Sequence, residues 1–194
     1  MSSATIPVTG DAEADQLLVD DPLALLIGML LDQQVPMEWA FRGPLTLKAR
    51  LGVERLDAKA IAAMNPAEVE SIFRSKPAMH RYPGSMAQRT HALCVHIADE
   101  YGGDAAAVWE GAGTAQELYT RLRALPGYGD DKTKIFMAIL GKRLAKAPEG
   151  WEAVAAPFSD TQPRSVADVD GPDALQRVRA WKQAHKAAKK VKAE

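Results

Sequence analysis

The stretch that most constrains the fold is residues 125–129, Leu-Pro-Gly-Tyr-Gly, which separates two helical patterns. Apolar residues recur at helical spacing over residues 114–125 and again up to residue 144. Proline and glycine between such patterns predict two helices joined by a tight hairpin. Glycine lets backbone N–H groups face outward where the second helix begins, and the helix dipole there favours an anion such as phosphate. The hairpin therefore suits a nucleic-acid backbone, although a plain helix corner with Gly127 as its C-cap is the alternative.

The remaining patterns are also helical. An apolar run over residues 23–31 follows Asp21-Pro22, an N-cap and first position typical of a helix start, so we expect a buried helix. Residues 85–101 form the longest amphipathic pattern, and residues 174–192 a final one. No segment shows the alternation of a strand. The sequence predicts an all-α protein preceded by a disordered lead over residues 1–10.

The charge distribution indicates two basic surfaces. The 194 residues include 24 basic and 25 acidic side chains, so the net charge of −1 does not by itself indicate a polyanionic partner. Residues 71–98 nevertheless contain four basic side chains and no acid, and residues 171–194 carry seven basic side chains against two acids. The terminal basic segment either lies along a polyanion or is a solubilising helix.

The single cysteine limits the possible cofactors and compartments. Cys94 cannot form an intramolecular disulfide, a cysteine-based zinc site or a four-cysteine iron–sulfur cluster, and we predict no metal site. The N-terminus lacks the pattern of a signal peptide, and the apolar run 23–31 is too short to span a bilayer. We expect a cytoplasmic monomer with no membrane role.

Three features stand in a definite order along the chain: a buried helix ending in Leu-Leu-Asp-Gln-Gln, a long helix ending in Tyr101-Gly-Gly, and the hairpin. Together they resemble the helix-hairpin-helix (HhH-GPD) DNA glycosylase superfamily of base excision repair, over roughly residues 22–145. The resemblance implies a two-lobed helical fold that holds double-stranded DNA, with a damaged or abasic site, across a cleft. It assigns residues 11–34 and 135–194 to one lobe, and 35–134 to a helical barrel that ends in the hairpin.

The same resemblance bears on cofactors. Endonuclease III, a member of the superfamily, has a terminal cysteine cluster that this chain lacks, so no iron–sulfur cluster is expected. A monovalent cation bound at the hairpin is compatible with the resemblance.

The resemblance also assigns DNA contacts. The hairpin of the family binds phosphates through backbone N–H groups, which corresponds here to Gly127 and Gly129, with Lys132 and Lys134 adding positive charge. The family places a glutamine after its first core helix, where the side chain enters the gap left by a flipped base. Gln34 matches that position, with Gln33 beside it, and such a wedge partly restores the stacking lost on base extrusion. The alternative is that both amides only cap a buried helix end.

The catalytic carboxylate is harder to assign. Glycosidic cleavage passes through a cationic sugar, which a carboxylate can stabilise while it orients water. The family supplies an aspartate shortly after the hairpin, but residues 147–151 here read Ala-Pro-Glu-Gly-Trp. Glu149 is the nearest substitute and Asp160 lies further along, although Glu149 reads equally as a solvated first-turn acid. Bifunctional members carry a lysine where Asp131 stands, so their Schiff-base route is not expected.

The loop around residues 75–84 mixes charge with aromatic rings. Its Arg81, His80 and Tyr82 suit phosphate contact and base stacking, and the resemblance places them near the damaged base. A solvated loop with Tyr82 packed on Pro83 is the alternative.

The sequence thus predicts a monofunctional DNA glycosylase that hydrolyses the N-glycosidic bond of a damaged base. A non-catalytic sensor of abasic or distorted DNA, and a protein-interaction scaffold that kept the fold, are the alternatives.

Overall fold

Helices account for the regular structure of residues 4–191, which the computed structural model describes. In chain order they are α1 Ala12–Asp20, α2 Pro22–Leu31, α3 Met37–Leu51, α4 Ala58–Ala63, α5 Pro66–Arg74, α6 Pro83–Tyr101, α7 Ala107–Glu110, α8 Ala115–Arg123, α9 Asp130–Lys142, α10 Trp151–Val154, a 3₁₀ turn Val166–Asp168, and α11 Pro172–Val191. Within this range there is no strand. The prediction of an all-α fold is confirmed.

Helix α2 is the centre of the packing. Its N-terminus is capped by Asp21, whose Oδ1 accepts hydrogen bonds from the N–H groups of Leu23 (2.9 Å) and Ala24 (3.2 Å). Every residue from Leu23 to Leu31 is buried. A helix that is apolar on all sides must be surrounded, and α2 packs against α1, α3, α6 and α9.

Close packing between α2 and α3 fixes the position of the C-terminal end of α2. A Cβ atom at Gly28 would lie 2.8 Å from Cδ1 of Phe41, and one at Gly43 would lie 2.5 Å from Cδ1 of Leu31. Side chains of one helix therefore occupy the space left by glycines of the other. This contact holds the last turn of α2, and the residues that follow it, against the start of α3.

The other helices surround this pair in sequence-local groups. Helices α4 and α5 pack on α6; α7 and α10 pack on the α8–α9 hairpin; α11 packs on the 3₁₀ turn, which itself packs on α9. Buried side chains from all these groups form one continuous apolar cluster. The hairpin is therefore attached to the core and does not project from it.

The N-terminal segment differs from the prediction. Residues 1–10 were expected to be a disordered lead, but Ile6 and Val8 are buried in the core. The carboxylate of Asp15 fixes them, because its Oδ1 accepts the N–H groups of Val8 (3.1 Å) and Thr9 (2.8 Å). The expectation fails for this segment because two alternating apolar residues are enough to cover α1. Residues 1–3 and 192–194 lie outside the described range.

Three further sequence predictions concern membranes, metals and the cysteine. None of the helices described between residues 4 and 191 is long and apolar enough to cross a membrane. In the same range no three His, Cys, Asp or Glu side chains are grouped in a way that could hold a metal ion. Cys94 is buried, and burial raises the pKa of its thiol to about 12, so the thiol stays protonated near neutral pH.

A buried hydrogen bond ties the hairpin to α2 and allows a stability test. The hydroxyl of Tyr128 donates to the carbonyl oxygen of Leu26 at 2.8 Å. We expect Tyr128→Phe to lower the free energy of unfolding by about 1 kcal/mol, because the buried carbonyl loses a partner. Tyr119→Phe is the matched control, since the Tyr119 hydroxyl bonds Asp130 at the surface and its loss should cost less. Urea unfolding of both variants measures the difference, and equal losses would contradict it.

Candidate functional site

The hairpin between α8 and α9 lies against the C-terminal end of α2. Gly127 has a left-handed φ of +81°, and a Cβ atom there would overlap the side chain of Leu30. Any larger residue would push the hairpin away from α2. Gly129 is different, because its φ is −81° and a Cβ atom would meet nothing within 4 Å. Gly127 is thus required for packing, whereas Gly129 leaves its side of the hairpin open.

The start of α9 presents backbone N–H groups. Among the described residues no side chain caps this helix, so its first amides are available to an external acceptor. Asp130 and Asp131 in the first turn oppose an anion, but Asp130 is already paired with Lys134 at 3.0 Å and accepts the Tyr119 hydroxyl at 2.6 Å. Lys134 is therefore engaged within its own helix, and its charge at the hairpin is partly compensated.

One hairpin carbonyl is already bound to a cationic side chain. The Nη1 of Arg123 donates to the Tyr128 oxygen at 2.9 Å. A monovalent cation at this carbonyl would be repelled by the guanidinium, so the residues here do not favour one.

Side chains from distant parts of the chain bond the last carbonyls of α2. The ammonium of Lys132 donates to Leu30 O at 2.5 Å, and the Nε2–H of His80 donates to Leu31 O at 3.0 Å. The Nδ1 of His80 accepts the Tyr82 N–H at 3.0 Å, which fixes the neutral Nε2–H tautomer. Burial lowers the pKa of His80, and the Lys132 charge adds to this effect. Lys132 thus points inward to α2 and His80 is a buried support.

The two glutamines after α2 have different environments. The side-chain oxygen of Gln33 accepts a hydrogen bond from Nη1 of Arg89 on α6, at 2.8 Å. Gln34 is exposed and has a φ of +57°, a left-handed conformation that costs a non-glycine residue about 1 kcal/mol. The strained backbone projects Gln34 away from the helix end. The Gln33 side chain is engaged by Arg89, whereas Gln34 is exposed and could contact an external partner.

Asp32 interacts electrostatically with Lys132 of this cluster. It is the first residue after α2 and is largely buried, and none of the described residues hydrogen-bonds its side chain. Desolvation raises the pKa of Asp32, opposed by the positive charges of Lys182 and Lys132. A pocket of about 230 Å³ opens beside it, bounded by the start of α3 and by Lys182 on α11. The site therefore holds a poorly solvated acid that is open on one side.

The pKa of Lys132 is shifted in the opposite direction to that of Asp32. Burial lowers its pKa to about 8, with the Asp32 charge raising it and the Arg89 charge lowering it. Near neutral pH a fraction of the amine is therefore unprotonated. A carboxylate with a raised pKa beside an amine with a lowered one is typical of functional sites.

An aromatic row borders the same helix end. The ring centroids of Trp39 and His80 are 6.3 Å apart, and those of His80 and Tyr82 are 6.2 Å apart. Trp39 and Tyr82 are 41% and 42% exposed, and the guanidinium of Arg81 lies 5.5 Å from the Tyr82 ring centroid. Both outer rings are thus partly exposed, and the Arg81 guanidinium lies over the Tyr82 ring.

The two acids suggested from sequence lie elsewhere. Glu149 is exposed in the segment before α10, and no described residue bonds its side chain. Asp160 is held by Arg164, whose Nε and Nη2 donate to its two oxygens at 3.0 and 2.7 Å, and this bond lowers the Asp160 pKa. The backbone carbonyl of Asp160 accepts a hydrogen bond from the Lys142 ammonium at 2.6 Å, so Asp160 is held through both its side chain and its backbone.

Sequence reasoning missed Asp32 and Trp39 as site residues. Asp32 was visible within Leu-Leu-Asp-Gln-Gln, but it read as part of the helix end. The signal that could have found it is an uncompensated acid directly after an all-apolar helix. The position of Trp39 beside His80 depends on a contact between separate elements, which no local sequence pattern indicates.

The perturbed Lys132 amine can be measured directly. In competitive labelling with trace acetic anhydride, read by mass spectrometry, we expect Lys132 to titrate near pH 8 and Lys134 above 10.5, because Asp130 raises the pKa of Lys134. Asp32→Asn should lower the Lys132 pKa further, since it removes the charge that favours the ammonium. Identical titration of both lysines would contradict the burial of the Lys132 amine.

Comparison with known protein families gives a match over most of this architecture. Residues 27–194 match the HhH-GPD superfamily base excision DNA repair protein family, a span that includes the end of α2, the hairpin and α11. Comparison with curated proteins and with solved structures gives no match. The all-helical fold, the hairpin attached to α2 and the extent of the family match agree with one another. The chain belongs to the HhH-GPD superfamily of base excision DNA repair proteins.

Proposed function

We propose that this protein is a DNA glycosylase that hydrolyses the N-glycosidic bond of a damaged base, with Asp32 as its catalytic carboxylate. The observation that carries the proposal is the convergence, at the end of α2, of Asp32, exposed Gln34 and the glycine hairpin. A carboxylate, a wedge and a phosphate anchor are the three parts that such a reaction needs. Family membership makes DNA the expected substrate.

The DNA would be held from two sides. The open amides at the start of α9 bind a phosphate, helped by the helix dipole and by the absence of a side chain at Gly129. Gln34, already projected by its left-handed backbone, enters the gap left by the extruded nucleotide. In this arrangement residues 11–34 and 135–194 form one wall of the cleft and residues 35–134 the other, as the superfamily resemblance implies.

Asp32 would act on the sugar. As the base leaves, positive charge develops at C1′, and an ionised carboxylate in a poorly solvated site stabilises that charge more than it would in water. The same carboxylate can orient a water molecule for attack and accept its proton, as in other glycosidases. The positive charges of Lys182 and Lys132 favour the ionised form of Asp32 and oppose the desolvation that raises its pKa.

A second chemistry is favoured by one observation, the lowered pKa of Lys132. Its amine could attack C1′ in place of water, so that the base leaves with the electron pair of the glycosidic bond and the nitrogen loses a proton. The C1′–O4′ bond then breaks, O4′ takes the bonding electrons and a proton, and the opened sugar is held as an imine on Lys132. Asp131 occupies the position expected for such a lysine, but it is exposed, whereas Lys132 points into the site. Borohydride trapping distinguishes this bifunctional route from simple hydrolysis.

The context proposed for the protein follows from the same features. We propose that it acts as a monomer on double-stranded DNA in the cytoplasm. Its one cysteine is a buried free thiol, which is compatible with a reducing compartment.

The assignment of Asp32 is tested by single-turnover excision. Duplexes that carry uracil, alkylated bases or oxidised bases are incubated with excess protein, and abasic sites are counted. We expect Asp32→Asn to slow excision at least about 100-fold, the scale typical for loss of one group that stabilises charge in a transition state. Glu149→Gln and Asp160→Asn serve as matched controls and should keep near-normal rates. Abasic product that survives in Asp32→Asn but not in Glu149→Gln would reverse the assignment.

If the wild-type protein yields no abasic product on any lesion yet binds abasic analogues tightly, the sensor function replaces the glycosylase. If it is trapped by borohydride and Lys132→Met is not, the bifunctional route applies.

The phosphate anchor is tested by Gly129→Ala. Because a Cβ atom there meets nothing within 4 Å and the φ of −81° suits alanine, the folded state should be unchanged within about 0.5 kcal/mol. The methyl group would obstruct a phosphate at the start of α9, so we expect duplex affinity to fall about 10-fold at low salt, measured by fluorescence anisotropy. Gly127→Ala should instead lower stability, since its Cβ overlaps Leu30. Unchanged affinity in Gly129→Ala would place the DNA elsewhere.

A further inference from the structure

The row of rings formed by Trp39, His80 and Tyr82 is not explained by the proposed reaction. Among residues 4–188, whose side chains the structure describes, the exposed large hydrophobic side chains are Trp39, Tyr82 and Val53, so two of the three stand together at the end of α2. Exposed aromatic faces are unfavourable in water, and their clustering indicates a surface for a partner. Neither exposed ring belongs to the pocket beside Asp32.

His80 holds the row in place, and its ring offers no free hydrogen-bonding atom at the centre of the row. Both ring nitrogens are occupied by backbone groups, Nε2 by Leu31 O and Nδ1 by the Tyr82 N–H. The imidazole is 1% exposed, so it is a fixed support between the outer rings. The row can therefore offer its partner ring faces, but no hydrogen bond from His80.

We propose that Trp39 and Tyr82 hold an unpaired nucleobase of the bound DNA by stacking, at a place separate from the base that is excised. This inference rests on the DNA-binding function proposed above. The faces of paired bases are covered by their neighbours in a duplex, so the rings gain contact only with a base that is extrahelical, bulged or at a gap. Because no polar atom of His80 is free, the contact should be tolerant of base identity.

Charge around the row fits a nucleic-acid strand. Residues 71–98 contain no acid, and within them Arg81 lies over the Tyr82 ring while Arg89 bonds Gln33 beside the wedge. An unpaired base on the row would therefore have its phosphate near basic side chains. His80 also bonds the carbonyl of Leu31, which places the row within a few residues of Gln34. A strand distorted by Gln34 would pass the row.

The test compares two DNA duplexes of normal bases that differ only by one extra unpaired adenine, so no lesion is present and no excision occurs. We expect wild-type protein to bind the bulged duplex more tightly than the intact one. Trp39→Ala and Tyr82→Ala should each weaken binding to the bulged duplex by about 5- to 150-fold, the range measured for loss of one stacked base, and leave intact-duplex affinity unchanged. Trp39→Phe should retain most of the bulge affinity.

Val53→Ala is the matched control, since it removes an equally exposed apolar side chain outside the row. Replacing the unpaired adenine by thymine or cytosine should change affinity far less than Trp39→Ala does. A loss that is equal on both duplexes, or no loss in Trp39→Ala and Tyr82→Ala, overturns the stacking proposal and leaves the DNA-binding proposal intact. If wild-type protein binds neither duplex at low salt, both proposals fall.

Discussion

The requirement that most shapes this protein is the need to satisfy the last carbonyls of α2. An apolar helix buried on all sides cannot leave these groups to water, and its own sequence supplies no side chain to bond them. The partners come from α9 and from the loop before α6, through Lys132 and His80. Tyr128 of the hairpin adds a bond to the Leu26 carbonyl, further back in the same helix. Each of these bonds brings a distant segment to one point. The candidate site lies where the backbone of α2 needs hydrogen-bond donors.

The same constraint accounts for the electrostatics. Lys132 reaches Leu30 O only by leaving water, which lowers its pKa, and Asp32 lies beside the same helix end, where desolvation raises its pKa. Each charge partly offsets the penalty of the other, so neither residue can be replaced without changing its partner. The negative end of the α2 dipole favours the Lys132 ammonium, as the Asp32 charge does, and it disfavours the Asp32 carboxylate, which adds to the effect of desolvation. A capping arrangement thus also produces an acid and an amine with shifted pKa values.

Local sequence patterns were enough to predict the helices and the hairpin, because caps, apolar spacing and glycines act within a few residues. The run 23–31 and its Asp21-Pro22 start correspond to α2, and Pro-Gly-Tyr-Gly corresponds to the α8–α9 turn. The candidate site could not be predicted in the same way, because the surroundings of Asp32 and Trp39 depend on contacts between segments that are distant in the chain. Segment 6–9 was misjudged for a similar reason, because its burial depends on the Asp15 carboxylate.

The position of the carboxylate has a geometric rationale. The superfamily resemblance predicts a carboxylate after the hairpin, where Glu149 is exposed and Asp160 is bound by Arg164. Because Gly127 packs directly on Leu30, the hairpin and the end of α2 border the same space, and an acid that begins from either element can face it. Asp32 comes two residues before Gln34, the proposed wedge, so one short segment would carry both proposed functions. A carboxylate placed there moves with the wedge, and insertion of Gln34 into DNA would then also bring Asp32 to the sugar.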